Sequence, residues 1–128
     1  MNQYPENLHY SESHECVSVD GDTATVGITD FAQAQMGDLV FVELPELGDE
    51  LDAGNEAGVV ESVKTASDFY TPVSGEVIAV NDVLNTQPEI VNQQPYAEGW
   101  LFKIKMNKPA ELDDLFDAAT YNKKFVDV

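Results

Sequence analysis

Val59-Val60-Glu61-Ser62-Val63-Lys64-Thr65-Ala66-Ser67-Asp68-Phe69-Tyr70-Thr71-Pro72-Val73-Ser74-Gly75-Glu76-Val77 reads as a strand, a short polar turn and a second strand, followed by a Pro- and Gly-punctuated bend. It is a hairpin with a lysine at its tip. Outward from it, short apolar runs at 24–28, 39–44, 58–63, 75–80 and 100–105 have the length and β-branched content of strands. Pro45, Gly48, Gly54, Pro72, Gly75, Pro88 and Pro95 separate them where the chain must turn. The core is therefore mainly β, spanning about 24–105. A short helix is expected over 29–35, with Thr29 or Asp30 as its cap and Gly37 behind it. A second is expected over 111–119, where Leu112, Leu115 and Phe116 have amphipathic spacing, within a helical tail at about 109–124.

A shift of 38 residues aligns Asp30-Phe31 with Asp68-Phe69, Gly37-Asp38-Leu39-Val40 with Gly75-Glu76-Val77-Ile78, and Val42 with Val80. Two similar β units would follow one another, with Lys64 to Ser67 in the joint between them. A chain of 128 residues has room for one such domain, 1–128, around one modest core.

Charge singles out the same lysine. The net charge is −18, and the first 102 residues hold nineteen Asp and Glu against one cation, Lys64. The remaining 26 balance five lysines with five acids. So negative a surface repels nucleic acid and anionic membranes and favours basic partners. No apolar run has the length of a membrane span, and Met1 to Glu6 has no basic leader, so a cytoplasmic, bacterial and monomeric protein is expected. One cysteine, Cys16, and two histidines, His9 and His14, offer neither an internal disulfide nor a metal-site spacing.

A prosthetic group that visits several active sites needs a long tether on a firm base. The four-carbon stem of a lysine on a tight turn supplies both. The bland alternative is a lysine that merely solvates a turn. It explains neither the use of one cation in 102 residues nor its place at the hairpin tip. Glu61, three residues earlier, is either a handle for the enzyme that modifies Lys64 or an ordinary solvent-facing strand residue.

From about Ser13 to Tyr121 the chain resembles the H proteins of glycine cleavage. The resemblance rests on Ser13-His14-Glu15, Ala24-Thr25-Val26-Gly27-Ile28-Thr29-Asp30, Gly37-Asp38-Leu39-Val40-Phe41-Val42-Glu43-Leu44-Pro45, Val60-Glu61-Ser62-Val63-Lys64, Ser67-Asp68, Pro72-Val73-Ser74-Gly75-Glu76-Val77, Pro95-Tyr96 and Gly99-Trp100. It implies a barrel-sandwich hybrid of the lipoyl- and biotinyl-carrier kind, with peripheral helices and one at the C-terminus. It implies covalent lipoate on Lys64 and a carrier that is not itself an enzyme. The arm would take an aminomethyl group from a pyridoxal-phosphate glycine decarboxylase to a tetrahydrofolate-dependent aminomethyltransferase, and an FAD-containing dihydrolipoamide dehydrogenase would reoxidise it. A lipoyl-attaching enzyme would complete the list of partners.

The resemblance further implies that Ser13, Glu15 and Asp68 line a cleft for the loaded arm. Carboxylates suit a cationic amine there; the bland alternative is solvated acids, with Asp68 capping a turn. One departure is Cys16, where the family usually has Trp, and the loss of an aromatic beside the cleft is expected to alter docking. Alternatives are a biotin carrier or a dehydrogenase-complex lipoyl domain, a lipoyl-relay protein that donates lipoate to other enzymes, and a non-lipoylated interaction module. Val63 and Thr65 in place of flanking methionines argue against biotin.

Overall fold

The computed structural model describes residues 4–126; Met1 to Gln3, part of the segment read for a leader, and residues 127–128 lie outside the described residues. Among the described residues nine strands form two antiparallel sheets. The larger runs β1 (His9–Tyr10), β2 (Glu15–Asp20), β3 (Thr23–Ile28), β9 (Phe102–Met106), β8 (Gly75–Val80) and β5 (Glu50–Leu51) from edge to edge. The smaller has β4 (Leu39–Glu43), β6 (Glu56–Ser62) and β7 (Ala66–Tyr70). Three short α-helices among the described residues are peripheral: α1 (Asp30–Met36), α2 (Ile90–Gln93) and α3 (Ala118–Tyr121), the last continued by a π-turn, Asn122–Val126. None among the described residues is long and apolar enough to cross a membrane.

Side-chain alternation makes the two sheets a sandwich. On β6 Gly58, Val60 and Ser62 turn inward, and on β3 and β9 Ala24, Val26, Phe102 and Ile104 do so. These inner faces merge into one cluster with Val42, Phe69, Val77, Leu84 and Leu101. Phe69 of one sheet stacks on Phe102 of the other at 6.3 Å between centroids. Gly58 is required by that packing: a Cβ there would lie 2.1 Å from the Glu43 carbonyl and 2.5 Å from the Phe69 ring.

The hairpin and the first helix stand where the sequence reading puts them. Thr29 caps α1 by accepting the Ala32 N–H at 3.1 Å, and Gly37 follows at a φ of 83°. The other readings need correction. The sheet extends ahead of residue 24, because β1 and β2 join its edge. The helix expected over 111–119 is not continuous. A 3₁₀ turn, Pro109–Asp114, ends at an extended Leu115, Phe116 exchanges two 2.8 Å backbone hydrogen bonds with Tyr10, and Asp117 caps α3 afresh. Pairing to β1 holds Phe116 extended at the point where amphipathic spacing alone would continue the helix.

The repeat holds in part. Its Gly-led segments become β4 and β8, one strand in each sheet, whereas Asp30-Phe31 is helical and Asp68-Phe69 lies in a strand.

Candidate functional site

At the hairpin tip Glu61 pairs with Ala66, leaving Ser62 to Thr65 to make the turn. Ser62 fastens it from beneath. Its N–H donates to the Thr65 carbonyl at 2.8 Å, and its Oγ accepts from the Lys64 and Thr65 N–H groups at 3.3 and 3.2 Å. Lys64 is exposed, and its ammonium makes no ion pair or hydrogen bond among the described residues. The stem passes Gly37, where an added Cβ would sit 3.4 Å from Lys64 Cε. Gly37 and Leu39 are held in turn by Asn92 of α2. Its amide nitrogen donates to the Gly37 carbonyl at 2.8 Å and to Gln33 at 3.0 Å, and its oxygen accepts the Leu39 N–H at 2.9 Å. The turn that bears the lysine is thus held by Ser62, and the end of the stem lies beside the Gly37 segment that Asn92 holds.

Beside the tip a cleft of about 410 Å³ runs between β7 and the β2–α1 wall, from Thr65 and Ala66 to Glu15, with Phe31, Gln35 and Met36 along its side. That volume is in the range of small-ligand pockets. Glu15 is 1% exposed. Its Oε1 accepts from the Ser11 hydroxyl at 2.7 Å and from the Ser13 hydroxyl, and its Oε2 accepts the Tyr70 N–H at 3.0 Å. Burial pushes its carboxyl above the usual carboxylate range, and the hydrogen bonds from Ser11, Ser13 and Tyr70 oppose that rise. A carboxylate has about four lone-pair sites, so three donors leave one, on Oε2, for a further donor.

Of the residues singled out in the sequence, Ser13 and Glu15 are in direct contact and both line the cleft. Asp68 is exposed on its rim. It belongs to the row Glu43–Val59–Asp68 that pairing aligns across the smaller sheet. Its carboxyl group meets Glu56, whose own carboxyl it holds above the usual range by hydrogen bonding and like charge. Glu61 is partly exposed, two rows along on the same face, with Phe41 and Ala66.

Cys16 is a small buried residue of β2, and only its distance from the cleft departs from expectation. Strand alternation turns Glu15 and Val17 to one side of β2 and Cys16 to the other, where it is buried against Tyr10 and Tyr121. It borders a separate cavity of about 150 Å³ with Tyr96 and Trp100 and does not line the cleft. Burial pushes its thiol up to about 12, so it is inert at neutral pH.

Two cleft-supporting residues, His14 and Tyr121, have no local signal in the sequence. His14, at a φ of 75°, brings its Nδ1 to 2.8 Å from the Tyr121 hydroxyl, which lies 2.8 Å from the Thr29 Oγ that caps α1. Burial lowers the His14 pKa and favours its neutral form. The neutral ring, the Tyr121 hydroxyl and the Thr29 Oγ thus form one hydrogen-bonded chain, through which α3 braces the β2–α1 wall of the cleft. The 107 residues between His14 and Tyr121 hide this pairing from any local pattern.

The family model described as glycine cleavage H-protein matches residues 8–128. The glycine cleavage system H protein of Chromohalobacter salexigens is 57% identical over 123 residues, 95% of this chain and 94% of its own length. That of Marinobacter nauticus is 55% identical over 122 residues, 94% of each chain. The crystal structure of a glycine cleavage system H protein from Mycobacterium marinum superposes with a TM-score of 0.86 at 36% identity, covering 94% of this chain and 97% of that one. The shared architecture is the barrel-sandwich hybrid.

Proposed function

This chain belongs to the glycine cleavage H-protein family, and on that premise we propose that Lys64 is the attachment point of a lipoyl arm and the Glu15 cleft its resting place. Family membership makes it a carrier component of the glycine cleavage system and not one of its catalysts. The observation that carries the finer reading is the tip itself: an unpartnered, exposed lysine on a turn fastened by Ser62, opening onto a cleft with a buried carboxylate.

These residues fit a lipoyl group in amide linkage to Nζ. When attached, it supplies a disulfide that opens to take up a one-carbon amine with two electrons. The protein's own contribution is placement. Ser62 fixes where the stem starts, so encounters with each partner's active site become nearly intramolecular. In the cleft, the free acceptor site on Glu15 Oε2 suits an ammonium, and Ser11, Ser13 and Tyr70 hold the carboxylate still while it pairs. Asp68 at the rim adds negative field, and the apolar wall of Phe31 and Met36 keeps water away. Glu61 serves the lipoyl-attaching enzyme as a handle. The partners are the pyridoxal-phosphate glycine decarboxylase, the tetrahydrofolate-dependent aminomethyltransferase and the FAD-containing dihydrolipoamide dehydrogenase. Each meets an acidic surface, so transfer slows as salt screens it over about 8 Å.

The test is the intact mass of the protein from cells grown with and without lipoate, followed by peptide mapping. One lipoyl adduct on Lys64, absent from Lys64→Arg, is expected. A bare Lys64 in cells with an active lipoyl ligase would leave this fold as an interaction module.

A further inference from the structure

The outward face of the smaller sheet has features that neither the core nor the cleft uses. A register shift between Leu39 and Phe41 turns two consecutive residues of β4 to solvent, Val40 at 54% and Phe41 at 47% exposure. At the tip Val63, immediately before Lys64, is 78% exposed. Phe41 lies opposite Glu61 and Leu39 opposite Ser62, so these apolar side chains gather at the lysine end of the sheet. Asp38, Glu43 and Glu61 flank them. An apolar arc inside an acidic rim, in the one region that holds the lone cation of the first 102 residues, has the composition of an interface: anchors at the centre and charge around it.

We propose that this face, Val40, Phe41 and Val63 within the rim of Asp38, Glu43 and Glu61, is the docking surface of the enzyme that acylates Lys64. The proposal rests on the reading of Lys64 as the lipoylated residue. Reach selects this partner among those that meet the arm. Nζ is only about 6 Å from its Cα by standard bond lengths. An enzyme that builds the amide has to bring an activated acyl carbonyl to that nitrogen, and so it covers the tip and the rows around it. Partners that use the finished arm stand off by the arm's added length. In the step itself, the Nζ ammonium gives one proton to a base of the enzyme, attacks the carbonyl of an acyl anhydride or thioester as the amine, and loses a second proton to the leaving group or that base. The amide C–N bond forms as the bond to the leaving group breaks, and nothing is oxidised or reduced. The complementary surface on that enzyme is an apolar pocket ringed by Lys and Arg.

The experiment is steady-state acylation of the unmodified full chain by a lipoate–protein ligase with ATP and lipoate, followed by intact mass at several carrier concentrations. Phe41→Ser and Val63→Ser are each expected to lower kcat/KM about tenfold, through KM, as loss of an interface anchor does. Leu47→Ser and Ile78→Ser, also exposed and apolar but outside the arc, are expected to react like the wild type. Glu43→Gln, which leaves the apolar packing alone, is expected to raise KM and flatten its salt dependence. Thermal midpoints confirm that every variant is folded. Wild-type KM in both anchor variants and in Glu43→Gln overturns the proposal, as does an equal loss at Leu47 or Ile78. A wild-type chain that takes up no adduct sinks the reading of Lys64 itself, a distinguishable failure.

Discussion

Glu15→Gln separates the cost of burying a charge from the value of the bonds around it. In the wild type a carboxylate at 1% exposure accepts from Ser11, Ser13 and the Tyr70 N–H. Glutamine keeps the shape. With its oxygen toward the Tyr70 N–H and its NH₂ toward the serines, each hydroxyl rotates to accept, and Ser11 turns its proton to the Glu15 backbone carbonyl 3.4 Å away. The substituted amide therefore mimics the protonated acid. Burial raises the Glu15 carboxyl above its ordinary 4.5, so the folded state holds that proton more tightly than the unfolded one. The resulting stabilisation is fully present below the unfolded value and is lost as pH rises through the folded value. Glutamine loses nothing over that range. The variant is thus expected to match the wild type at the acid end and to exceed it at neutral pH, the gap growing by at most about 1.4 kcal/mol per pH unit before it levels off. Urea unfolding of both unmodified proteins from about pH 3, below the ordinary 4.5 at which the gap opens, to about pH 8 measures it. A gap that stays flat with pH, or that shrinks as pH rises, refutes the reasoning.

Tyr121→Phe removes the hydroxyl shared by His14 and Thr29 and is expected to cost about 1–3 kcal/mol in urea unfolding. Amide exchange in α1 should speed up with it. Gly58→Ala drives a methyl into the Glu43 carbonyl and the Phe69 ring, and at least about 3 kcal/mol or outright failure to fold is expected; a soluble variant with a wild-type midpoint would contradict the packing described. Asn92→Ala strips three hydrogen bonds from Gln33, Gly37 and Leu39, with an expected loss of about 2 kcal/mol. If Asn92 also positions the lysine, acylation of Lys64 slows in a variant that calorimetry shows to be folded.

The hairpin is legible in the sequence because its apolar alternation and polar turn are local, and α1 because Thr29 and Gly37 mark both ends. Lys64 stands out by charge alone. β2 hides because two of its three buried residues are Glu15 and Cys16, which break the aliphatic pattern of a strand. The tail misleads for the opposite reason: Leu112, Leu115 and Phe116 keep helical spacing although Phe116 is committed to Tyr10. Without strand register Cys16 reads as a neighbour of the cleft, yet one residue along β2 is the whole width of the sheet. Asp68 carries no hint in the sequence that its carboxyl meets Glu56, twelve residues back. Contacts such as His14 with Tyr121 exist only once the C-terminal tail has folded back onto β1.

The smaller sheet ends in two edges, β4 and β7, and an amide on each is already taken by a side chain from elsewhere in the molecule: Leu39 by Asn92, Tyr70 by Glu15. Another copy's strand laid against either edge would have to displace a bond before making its own. At Tyr70 it would also strand a buried carboxylate. Edge-to-edge growth, the route by which open sheets seed fibres, is thereby discouraged by the same two side chains that shape the site, and a variant lacking either should be watched first for aggregation.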